Sequence, residues 1–61
     1  MPYTAKEKRE AAERELKMRQ RVYPRWVADK RMTQAKADHE TAVMAEIVKD
    51  YEKLEAADLL L

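Results

Sequence analysis

The sequence predicts an all-α protein: an antiparallel helical hairpin, its first helix kinked at Pro24, with two hairpins associating into a four-helix bundle. Three observations predict it. The 61 residues contain no Gly, no Cys and no Phe, and 41% are Asp, Glu, Lys or Arg, a composition typical of long helices. Two N-cap signals, Thr4 and Thr33, each open a long run of strong helix formers. Both runs carry apolar residues at helical spacing.

The first helix is expected over about residues 4–29. TAKE, Thr4 to Glu7, is a capping box: the Thr4 hydroxyl accepts from the Glu7 amide, and the Glu7 side chain accepts from the Thr4 amide. From there to Arg21 no residue breaks a helix. Glu10 and Arg14, and Glu13 and Lys17, stand at the favourable acid-first i,i+4 spacing. Pro24 removes one hydrogen bond and crowds the carbonyl of Gln20. Leu16, Tyr23 and Trp26 keep steps of seven and three across it, so a kinked continuation is predicted rather than a break. The turn falls at 30–33. With no Gly to provide a left-handed cap, this turn is expected to be less tidy than most.

Thr33 opens the second helix, expected over about 34–57. Met44, Ile47, Tyr51 and Leu54 step by three, four and three residues, and Val43 and Val48 widen that stripe. Ala35 and Ala42 would allow close approach near the turn. A turn this short makes the helices antiparallel neighbours. Leu16, Tyr23 and Trp26 are therefore expected to pack on Ala35, Met44, Ile47 and Tyr51. The Tyr51 hydroxyl would reach the rim, and Met18, Met32 and Met44 would fill gaps. Both stripes are wider than one partner helix covers, hence the expected dimer. Leu59 to Leu61 have two readings: part of that association, or a frayed tail.

A chain of 61 residues makes one domain, 1–61, and is marginal alone. Without Cys it has neither disulfides nor thiolate metal sites, and the single His39 makes no ordinary transition-metal set. Association, with a second copy or another protein, is the leading way to complete the core. No apolar run approaches the ~20 residues of a membrane span, and MPYTAKEKRE lacks the apolar segment of a secretory signal. A cytoplasmic protein is expected, and the missing cysteine fits a reducing compartment. A membrane-surface role is disfavoured, because anionic lipid would repel the acidic second helix.

The net charge of +1 hides an asymmetry. Residues 14–36 hold eight basic and two acidic side chains, net +6, and residues 37–61 hold seven acidic and two basic, net −5. One reading is a nucleic-acid contact at the bend through Arg21, Arg25, Lys30 and Arg31, with Tyr23 or Trp26 stacking on bases. The other is structural: a basic helix beside an acidic one fixes the pairing, as charges do at the flanks of coiled coils. A duplex-reading helix-turn-helix is disfavoured, since that unit needs a further helix and commonly a Gly in its turn.

Catalytic chemistry finds no support. Asp38, His39 and Glu40 point in different directions on a helix, and His39 has Ala35 and Val43 as its i,i+4 neighbours. No spacing suggests a nucleophile with its base. No catalytic residue, cofactor site or metal site is assigned, and an enzyme is not expected.

RVYPRWV, Arg21 to Val27, followed by MTQAKADHE, Met32 to Glu40, and an apolar helix resembles a group of small proteins encoded in bacteriophages and bacterial prophages. The resemblance covers a little over half the chain. Members often have Gly where Lys30 stands here. No activity goes with the pattern, so it carries no site residues. It implies a phage or prophage setting, in the cytoplasm of a bacterial or phage-infected host cell. The combined expectation is a non-enzymatic protein acting by self-association or protein–protein contact through Leu16, Tyr23, Trp26, Met44, Ile47, Tyr51 and Leu54. The alternative is an accessory nucleic-acid binder using the basic bend.

Overall fold

The computed structural model describes residues 2–60 and consists of two packed helices, with no strand among those residues. Helix α1 spans Ala5–Ala28 and α2 spans Gln34–Leu59. Both halves of the Thr4 capping box form. The Glu7 amide donates to Thr4 Oγ1 at 3.0 Å, and Glu7 Oε1 accepts from the Thr4 amide at 3.3 Å. Thr33 caps α2 by accepting from the Lys36 amide at 3.1 Å. Helix α1 continues through Pro24 to Ala28. Its one-turn extension keeps Trp26 and Val27 in helical phase with Tyr23.

The bend differs from expectation. Lys30 takes the left-handed conformation at φ 60°. Its amide donates to the Val27 carbonyl at 3.0 Å, and the Arg31 amide donates to the Trp26 carbonyl at 2.8 Å. These two bonds make a Schellman motif, the usual satisfaction of a helix C-terminus. The cap is well formed without Gly, and the left-handed conformation costs a lysine roughly 1 kcal/mol.

The ion pairs within α1 also differ from the simple spacing. Glu13 binds Arg9 at 3.0 Å rather than Lys17, and Glu15 binds Arg19 at 2.9 Å. Both arginines also reach α2, which explains the preference. Helix α2 runs two residues past its expected end. Leu59 and Leu60 are 82% and 88% exposed, and Leu61 lies outside the described residues.

The chain is a rod measuring 47 × 17 × 16 Å, with a radius of gyration of 14.1 Å. A compact chain of this length would have about 10–11 Å. Among the described residues only Ala12, Ala37 and Val48 are buried, and no side chain is fully buried.

Candidate functional site

The seam between the helices is built at regular intervals. On α2 it follows Ala37, Thr41, Met44, Val48, Tyr51 and Glu55, at steps of four, three, four, three and four; all six are buried or half-buried. On α1 it follows Arg9, Ala12, Leu16, Arg19 and Tyr23, at steps of three, four, three and four. This is the heptad geometry of two helices in sustained contact. Ala35 and Ala42, expected at the close approach, are exposed. Ala35 lies two residues from Ala37, which rotates it by about 200° to the outer side.

Arginine tightens the seam at both ends. The Arg9 guanidinium forks onto Glu55, with Nε and Nη2 each donating to a carboxylate oxygen. This bidentate arrangement is the strongest form of such a pair. The hydrogen bond from Arg9 holds the Glu55 carboxyl below its ordinary pKa. At the other end, Arg19 Nη1 donates to the Glu40 backbone carbonyl at 2.8 Å and lies 3.7 Å from Glu40 Oε2. Glu40 is likewise held low, chiefly by the hydrogen bond from Lys36 at 3.1 Å. The antiparallel pairing is thus fixed by named cross-helix bonds.

Of the residues expected to form the core, Leu16, Tyr23, Met44, Ile47 and Tyr51 are half-buried. Trp26 is 36% exposed and Leu54 is 52% exposed, so neither is interior to the single hairpin. The physical reason is rotation. The seam centres on Val48, and Ile47 sits about 100° around the helix from it. Val43, Ile47, Tyr51 and Leu54, at steps of four, four and three, run along one edge of the seam and out onto the surface. Val43 is 40% exposed.

The same edge continues on α1. Thr4, Ala5 and Lys8 line a groove of about 530 Å³ together with Tyr51 and Leu54, and the Lys8 ammonium lies 5.8 Å from the centre of the Tyr51 ring. Lys8, Glu15 and Val22 recur every seven residues, so Val22 and its neighbour Met18 share that side. The opposite edge holds a groove of about 380 Å³ in which Arg19, Gln20, Gln34, Asp38 and Thr41 stand among Tyr23, Pro24, Ala37, Ala42 and Ala45. The large aliphatic side chains Val43, Ile47 and Leu54 lie on the first of these edges, the apolar flank, whereas the second has alanines, Tyr23 and Pro24 among its polar groups.

The bend carries Arg21, Arg25, Lys30 and Arg31, all exposed. Among the described residues none of the four makes an ion pair, in contrast to Arg9 and Arg19. Tyr23 is occupied: its ring lies 5.5 Å from that of Trp26, tilted by 31°, and the Arg19 guanidinium sits 5.9 Å from its centre. His39 is exposed. Among the described residues no three His, Cys, Asp or Glu side chains are grouped to hold a metal ion. No helix among them is long and apolar enough to cross a membrane.

Sequence reasoning missed Arg9, Arg19, Glu40 and Glu55. Their signal was present as arginines ten residues apart in phase with Ala12 and Leu16. No family model, curated protein or solved structure matches this chain.

Proposed function

We propose that this is a non-enzymatic, phage- or prophage-related protein that works by association through its apolar flank. One observation carries the reading. Among the described residues no buried side chain is larger than Val48, yet Val43, Ile47 and Leu54 align along one edge. A side chain of this kind gains about 1.5–3 kcal/mol on full burial, and only a further partner can supply that burial. The RVYPRWV and MTQAKADHE stretches support the phage setting, and a cytoplasmic location goes with it.

The test is molar mass by light scattering at low and high salt, with helicity followed by circular dichroism on dilution. A multiple of the chain mass that persists in high salt is expected. Ile47→Glu should weaken association at least tenfold and lower helicity with it. A wild-type chain that stays monomeric and fully helical at every concentration would overturn the reading.

The four unpaired cations at the bend support a second reading, an accessory nucleic-acid contact. Phosphate contacts make affinity fall with salt by about 0.9 log units per contact per decade of salt on duplex DNA. Arg25→Glu with Lys30→Glu should leave the helices intact and abolish such binding. Equal binding of DNA or RNA by the double variant and the wild type removes this reading.

A further inference from the structure

Resting on the self-association reading, we infer that the occupant of the apolar flank is a second copy of this chain, docked with the two bends at the same end. Three observations lead there. The first is area. The chain exposes 4936 Å², whereas a compact monomer of its 7.2 kDa mass would expose about 4,100 Å². The excess, about 800 Å², is what one partner contributes to an interface of standard size. A small symmetric dimer consumes that surface on both copies at once.

The second is the placement of apolar residues. Met18 and Val22 on α1 and Val43 and Ile47 on α2 lie on the same flank. In the antiparallel seam, with Arg19 bonded to Glu40, Met18 stands level with Val43. A two-fold axis along the rod places α1 of one copy over α2 of the other at the same level. Met18 then meets Val43 of the second copy, and the Ile47 and Tyr51 region meets Ala11. Turning the second copy end over end instead lays α2 on α2. Tyr51 and Leu54 would then face the polar start of that helix, around Lys36 and Glu40.

The third is charge. Helix α1 holds eight basic and four acidic residues, net +4, and α2 holds three basic and seven acidic, net −4. With the bends together, each helix is flanked on both sides by helices of opposite sign. The end-over-end arrangement sets the two acidic helices against each other at about 8–10 Å, a separation comparable with the Debye length of about 8 Å at physiological salt.

The chain has no cysteine, so introduced thiols report the geometry without interference. Met18→Cys and Val43→Cys are prepared as separate single variants, each checked for helicity and mass. They are then oxidised alone and as an equal mixture. The expected result is a covalent dimer several-fold more abundant in the mixture than in either variant alone. Val43→Cys that links to itself as fast as the mixture links would overturn the bend-to-bend arrangement while leaving self-association standing. No covalent dimer in any sample, from proteins that weigh as dimers, would overturn the choice of flank. A monomeric mass for the wild-type chain would overturn this inference and the self-association reading together.

Discussion

On its inner side α2 presents Ala37, Thr41, Met44, Val48, Tyr51 and Glu55 to α1, and along one outer edge it presents Val43, Ile47 and Leu54. The two rows sit one residue apart in sequence and have opposite characters. The inner row is small or polar along much of its length, and its charged end is satisfied by Arg9. These three outer residues are all aliphatic, and among them only Ile47 is half-buried while Val43 and Leu54 are exposed. Such a division separates two tasks. Small residues and directed hydrogen bonds fix which helix faces which, at modest net stability. The larger apolar groups hold most of the unspent hydrophobic free energy.

The steepest way to break this comparison is to overfill the seam. Ala37 is 4% exposed, so Ala37→Leu drives three extra carbons into a close approach and should cost about 1–3 kcal/mol. Ala35→Leu makes the same chemical change on an exposed turn of the same helix and should stay within about 0.5 kcal/mol. Thermal melts followed by circular dichroism compare them. At roughly 4–8 °C per kcal/mol for a domain this small, the difference is easily read. Equal melting temperatures would mean that Ala37 does not set the seam.

A smaller change should act on the bend and spare both rows. Lys30→Gly removes the side chain that makes φ 60° costly, and the native conformation needs nothing else from that position. The expected gain is at most about 1 kcal/mol, because Gly also frees the unfolded chain. Melting temperature should rise while molar mass at a given concentration stays the same or moves toward the assembled form. A fall would show that the Lys30 side chain contributes something beyond the backbone turn.

How much of this was legible follows from particular residues. The capped start at Thr4 was readable because a capping box is a local pattern whose partners lie three residues apart. The continuation through Pro24 was readable from the phase of Leu16, Tyr23 and Trp26. The choice of inner row was not. Met44 and Tyr51 belong equally to the frame containing Ile47 and Leu54 and to the frame containing Val48 and Glu55. Apolarity favours the first frame. The second prevails because Arg9 and Arg19 make their bonds across the helices, a property of the pair that no single-helix periodicity contains. The bend was misjudged for a different reason: residue type sets what a left-handed cap costs, while the rest of the fold sets whether it forms.

The gentlest probe of the seam is acid, and it also tells the two glutamates apart. Glu55 and Glu40 are both held below the ordinary carboxylate value of 4.5. As pH falls, the unfolded chain therefore takes up these protons before the folded one does. Their stabilisation is fully present above about pH 4.5 and is lost as pH drops through the lower folded values. The two losses mean different things. Glu40 is held chiefly by Lys36, four residues away on the same helix, and that pair forms wherever α2 is helical. Glu55 is held by Arg9 on the other helix, and that pair requires the closed hairpin. Thermal melts between pH 6 and pH 3 should therefore show Glu55→Gln flattening the acid dependence more than Glu40→Gln does. If Glu40→Gln flattened it more, the acid-sensitive contact would lie at Glu40, with Lys36 and Arg19, and the Arg9 fork would not be what holds the seam closed.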